Sequence, residues 1–190
     1  IEANATGANR GGADLSGADL SGAILGEANL NGANLSGANL RRALLAVSSF
    51  ASANLSNADL GSANLAYTNF AVADLRRADL NDSVLDHADL IGANLMGANL
   101  RRAKLTSANL RKANLSDADF RNARLINTNL IGANVDNANI SNSFIYGVNV
   151  WDLEGEFKEQ KDLIITPEED SIITVDNIEI INDSTVQVDL

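Results

Sequence analysis

The chain has 190 residues, of which 45% are hydrophobic, 21% charged and 4% aromatic, with no Cys and a single His, Pro and Trp. That composition excludes a disulfide framework and a thiolate metal site, and no apolar run approaches the ~18 residues that suggest a membrane span. The formal net charge of −11 is unevenly distributed: residues 1–150 hold 13 acidic and 12 basic side chains, and residues 151–190 hold 12 acidic and two basic ones.

The charge break marks two candidate regions, 1–150 and an acidic extension, 151–190. No basic-then-apolar leader is visible, and the expected location is cytoplasmic. The start at Ile1 rather than Met leaves room for an upstream piece.

From Ala3 to Val150 the chain repeats every five residues without insertion or deletion. Of the 30 positions numbered in multiples of five up to 150, 28 are Leu, Phe, Val or Ile, and 21 of those are Leu; the exceptions are Ala5 and Arg10. Two residues earlier, 24 of 30 positions are Ala; one residue earlier, 23 of 30 are Asn or Asp. A helix cannot use this period, because five steps of about 100° scatter the Leu side chains around the axis. A long strand fails as well, since an odd period sends alternate Leu side chains to opposite faces. A short extended piece succeeds: Ala and Leu point inward, and the Asn or Asp between them points outward. The other two residues must turn the chain. Ten of the 14 Gly occupy the second turn position, where a positive φ is expected.

The outward position sets the size of the coil. It departs from Asn/Asp at Ile24, Leu44, Ser49, Val84, Lys104, Arg124 and Phe144, and six of these seven lie in one register of twenty. This predicts four sides to a coil, about seven coils, and a rod of roughly 35 Å at the usual strand spacing. Crossover handedness makes the winding right-handed.

Units such as Ala13-Asp14-Leu15-Ser16-Gly17 and Ala93-Asn94-Leu95-Met96-Gly97 strongly resemble those of the pentapeptide-repeat family. The resemblance implies an all-β fold: a right-handed quadrilateral parallel β-helix, here with a short β-rich C-terminal extension outside the repeat. It implies little about role.

Inside such a rod, stacked Leu forms the core and Ala keeps the corners small. Phe50 and Phe70, twenty apart, should stack; the atypical Ser48 and Thr68 beside them predict a local bulge or widening. The outward Asn and Asp should bond to neighbouring turn backbone. Exposed strand edges invite end-to-end or side-by-side association with further copies. In the extension, residues 163–166, 172–175, 178–181 and 186–188 read as short strands, and 176–177 and 182–184 as turns. The extension either caps the rod, lies along it, or begins a second domain.

The functional reading is narrow. His87 stands alone beside Asp86 and reads as a surface residue rather than a base or metal ligand. Ser has no base to activate it. Recurrent carboxylates such as Asp74, Asp79 and Asp89 belong to the ladder, not to a cleft. Neither an enzyme nor a cofactor is expected, and no small-molecule substrate.

Two surface features remain. One is a basic corner: Arg101, Arg102 and Lys104, with Arg121 and Arg124 twenty residues on; Arg41 and Arg42 share it, and Arg111 and Lys112 lie one side round. It reads as solvated charge, a dock for the acidic extension, or an attractor of an anionic partner. The other is the apolar column Ile24, Leu44 and Val84, enlarged by Val47 and Tyr67. Both suit contact with a protein partner or the extension. The leading reading is therefore a non-catalytic interaction scaffold. The alternatives are the regulatory arm of a larger protein, and a DNA mimic acting on DNA gyrase, as some family members are. Mimicry needs an acidic rod, and the repeat is nearly neutral. Nucleic-acid binding is not expected.

Overall fold

The computed structural model describes residues 4–166, together with the backbone of the strands Thr174–Val175, Ile178–Ile181 and Thr185–Val188. The repeat winds into a parallel β-helix. Every isolated bridge from Asn4↔Ile24 to Phe144↔Ile164 joins residues twenty apart, and four bridge positions share each twenty-residue step.

One unit shows why the sequence closes this way. Leu35 N–H donates to the Asn54 carbonyl at 2.7 Å, and Asn54 N–H donates to the Ala33 carbonyl at 2.9 Å, so each extended piece is bonded to the piece above. The chain then bends through a β-turn closed by Ala38 N–H on the Leu35 carbonyl at 3.0 Å. The second turn residue is left-handed: φ is +65° at Gly37 and about +60° at the non-glycine residues in the same place, such as Asn57 and Asn122. Its N–H continues the ladder, from Gly37 to the Ser56 carbonyl.

The core is the inward pair repeated. Leu35, Leu40, Leu45, Leu55 and their successors are fully buried, as are Ala33, Ala38 and Ala43. Burying each Leu contributes about 1.5–3 kcal/mol. Phe50 and Phe70 stack with centroids 5.2 Å apart and ring planes at 15°.

No bulge accompanies them: the bridges Asn29↔Ser49, Ser49↔Asn69 and Asn69↔Asp89 keep the twenty-residue register. The hydroxyls beside the rings find backbone partners instead. Ser48 Oγ and Thr68 Oγ1 both donate to the Leu45 carbonyl, and Thr128 and Ser143 donate to the Leu105 and Phe120 carbonyls. A buried hydroxyl with a partner carries little penalty, so the inward position tolerates Ser and Thr without displacing the chain.

The five-residue pattern ends at Val150, but the bridges go on to Glu154, Glu159 and Ile164. Leu163 is fully buried at this end. The first strand, β1 (Leu163–Ile164), pairs antiparallel with β2 (Thr174–Val175); β3 (Ile178–Ile181) and β4 (Thr185–Val188) form a second antiparallel pair. The two expected turns, at 176–177 and 182–184, lie outside the described residues.

Candidate protein-interaction surface

The outward Asn/Asp positions hold the turns. Asn34 Oδ1 accepts Ser36 N–H at 3.2 Å, and Asp79 Oδ1 accepts Asn81 N–H at 3.1 Å. Between coils, Asn99 Nδ2 donates to Asp79 Oδ1 at 2.8 Å. Hydrogen bonds from Ser16 and Ser21 hold the Asp14 and Asp19 carboxyls below the usual carboxylate range.

The basic corner assembles as the spacing implies. Lys104 bridges Arg124, and Arg102 N–H donates to the Arg121 carbonyl. Several of its charges are already matched. Arg102 grips Asp82, twenty residues earlier, through two hydrogen bonds of 2.7 Å. Arg121 grips Asp119 through Nε at 2.9 Å and Nη2 at 2.6 Å. Burial pushes the Asp119 carboxyl up, but hydrogen bonds from Arg121 and the charge of Arg101 outweigh it, and the net direction is down. Arg102 likewise holds Asp82 low. Arg41 meets Asp59 at 3.3 Å. Arg124 lies over the Phe144 ring, 5.6 Å from its centroid, a cation–π contact. Glu159, beyond the repeat, is close enough to Arg121 to favour its charged form. The Lys104 side chain is exposed and makes no ion pair among the described residues.

Ile24, Leu44 and Val84 fall in one bridged column with Asn64 between the last two. Leu44 is 48% exposed, while Ile24 and Val84 are half-buried. The neighbouring turns add Val47 (58%), Tyr67 (60%), Val72 (66%) and Ile91 (37%). Sequence reasoning missed Val72 and Ile91; searching the turn positions for large apolar side chains would have found them. It also missed the flat stack of Tyr67 on His87, with centroids 4.7 Å apart and planes at 6°.

Near the C-terminal end an open groove of about 580 Å³ is lined by Asp117, Asp119, Arg121, Asn137, Asn139, Lys158 and Glu159. Its polar groups largely serve one another: besides the Arg121–Asp119 pair, Asn139 Nδ2 donates to Glu159 Oε2 at 2.9 Å. Among the described residues, no group of three or more His, Cys, Asp or Glu could hold a metal ion, and no helix is long and apolar enough to cross a membrane.

The arrangement is that of a filled parallel β-helix with side chains displayed in vertical columns. The model of pentapeptide repeats matches in eight copies, over residues 1–22, 13–46, 53–90, 73–111, 103–142 and 113–152. The chain belongs to the pentapeptide-repeat family, and its fold is the right-handed β-helix of that family. Among solved structures it is similar to trypsin-treated QnrB1, a plasmid-mediated fluoroquinolone resistance protein, at 22% identity and a TM-score of 0.64, covering 82% of this chain and 86% of that one. Full-length QnrB1 matches at 19% identity and a TM-score of 0.59, covering 82% and 92%. HetL of the cyanobacterium Nostoc, involved in heterocyst differentiation regulation, matches at 25% identity with a TM-score of 0.32, covering 97% and 89%. No curated protein matches the chain.

Proposed function

We propose that the chain is a non-catalytic scaffold whose outward columns bind another protein. The observation that carries this reading is the division of labour among its side chains. Inward Leu and Ala fill the axis of the rod, and most outward Asn and Asp positions fasten turns. What remains for function is the set of outward groups with neither task, gathered around residues 44–124. The same reading takes the coil as four-sided, with about seven coils between residues 3 and 150. It takes 151–190 as a cap on the C-terminal end, in keeping with the buried Leu163. The basic corner and the apolar column are then candidate contacts, and Arg102 and Arg121 enter them already paired with carboxylates.

The test is retention of a partner by the full chain from extract. Retention should survive deletion of residues 167–190 and fail on reversal of charge at Arg101, Arg102 and Arg124. A native chain that retains nothing under any condition sinks the scaffold reading.

A further inference from the structure

The most unusual surface of the molecule spans two adjacent sides between residues 44 and 112. Val47, Tyr67 and Val72 sit at the second turn position with φ of +63°, +59° and +59°. For β-branched residues the left-handed region is a true outlier. Gly, Asn, Asp, Ser, His, Glu and basic residues fill the same position elsewhere, and Val47 and Val72 are the only β-branched residues there among the described residues. Each of the three side chains is also largely exposed, so the monomer gains little burial from them. Strain combined with exposure points to a use outside the monomer. Leu44 and Ile91 extend the exposed apolar area to the neighbouring columns.

Three of these columns change character on the coils above, ending in cations on one coil. The bridged column Leu44, Asn64, Val84 continues to Lys104. Gly92 N–H, next to Ile91, donates to the Arg111 carbonyl, placing Arg111 on the coil above. Lys112 stands above Gly92, which itself stands above Val72. None of Lys104, Arg111 and Lys112 makes an ion pair among the described residues. Asp86 and Asp89 are committed to backbone, accepting Thr106 N–H at 2.9 Å and Ile91 N–H at 3.2 Å, while Asp152 and Glu154 line an open groove with Lys112 without an ion pair to it among the described residues.

We propose that this surface docks an acidic segment of a partner protein that carries apolar anchors. Leu44, Val47, Tyr67, Val72 and Ile91 take the apolar side chains, and Lys104, Arg111 and Lys112 pair with the carboxylates. The inference rests on the scaffold reading and gives its partner a chemistry. Apolar contact supplies the affinity and the row of cations sets orientation and encounter rate.

The test uses the full chain and three labelled twelve-residue peptides, in which Glu alternates with Leu, Lys alternates with Leu, or Glu alternates with Ser. Fluorescence anisotropy should show the Glu/Leu peptide binding at least tenfold more tightly than the other two, and weakening as salt rises. Val47→Asn with Val72→Asn should weaken it at least fivefold while melting no lower than the native chain, because Asn accepts the turn conformation. Lys104→Glu, Arg111→Glu and Lys112→Glu together should reverse the preference toward the Lys/Leu peptide.

Equal binding of all three peptides overturns the proposal, as does a melting temperature lowered by the Asn variant, which would make the valines structural. A doubled mass in solution that the Asn variant abolishes assigns the surface to a second copy. Peptide binding that appears only after deletion of residues 167–190 assigns it to the chain's own extension. Either result overturns the proposal. A partner retained equally by the native chain and by the triple charge variant would leave the scaffold reading standing and this one refuted.

Discussion

Residues 23–140 and residues 151–166 share one backbone ladder but not one sequence rule. In the first stretch small Ala precedes large Leu at the two inward positions. In the second, Leu153 stands at the Ala position and Gly155 at the Leu position, reversing the sizes. Even so, Val135 N–H donates to the Glu154 carbonyl and Ile140 N–H to the Glu159 carbonyl, as in the coils below. Glu159 also takes the role of Asn or Asp, accepting from Asn139 Nδ2. A completed coil is thus a template: its open carbonyls and N–H groups hold the next turn of chain even where the repeat has lapsed. Only the inward pattern decides how tightly that turn is packed.

The sharpest probe of this contrast is a Leu deletion in each stretch. Leu95→Ala, at a fully buried site, should cost about 2–5 kcal/mol in denaturant unfolding. Leu153 is only partly buried against the core, so Leu153→Ala should cost less than half as much. Equal costs would erase the distinction between a packed coil and a templated one.

Gly155 comes next. Its φ is +77°, and a Cβ there would lie 2.7 Å from Asp136 Cβ and 2.8 Å from its Cα. Gly155→Ala should therefore cost about 1–3 kcal/mol, with hydrogen exchange quickening around residues 151–166 while residues 30–100 keep their protection. A silent Gly155→Ala would contradict the close approach.

Most of the fold was legible in the sequence, because a period of five without a gap leaves one geometry that keeps every Leu inside. The positive φ at the second turn position and the turn-fastening by Asn and Asp followed from the same unit. The bulge expected at Ser48 and Thr68 did not, since the pattern shows residue size but not that a hydroxyl can reach the Leu45 carbonyl. Continuation past Val150 was hidden for a related reason: backbone templating leaves no side-chain signature. At the candidate surface, the column Ile24, Leu44, Val84 was readable. The pairing of Arg102 with Asp82 was not, although its spacing of twenty was available.

Ser83 gives a smaller test of the inward rule. Its Oγ donates to the Leu80 carbonyl at 2.7 Å, which Ser83 N–H already serves at 3.2 Å. Ser83→Ala restores the common inward residue and leaves that carbonyl with a partner, so thermal unfolding should shift by at most about 1 kcal/mol. A larger loss would show that the hydroxyls hold the coils in register.

The smallest effect is on acid stability. Arg76 and Arg102, through their hydrogen bonds, hold Asp74 and Asp82 below the ordinary 3.8. A carboxyl lowered in the folded state stabilises fully above its unfolded value, and that contribution drains as pH falls through the folded one. Unfolding free energy should be flat from neutral pH to about 5 and decline below about 4. The pairs are exposed, so Asp82→Asn should flatten that decline only slightly. A decline beginning near neutrality would contradict the assignment.

The coil itself is open to a direct measurement, because the chain has no Cys of its own. Asn94 bridges Asn114, and parallel neighbours at roughly 4.8 Å lie within disulfide reach. Asn94→Cys with Asn114→Cys should oxidise to an intramolecular disulfide in the folded chain, read by mass spectrometry. Asn94→Cys with Asn109→Cys, fifteen apart, should stay reduced. Closure of the fifteen-residue pair in place of the twenty-residue pair would mean a three-sided coil and would contradict the account from the core outward.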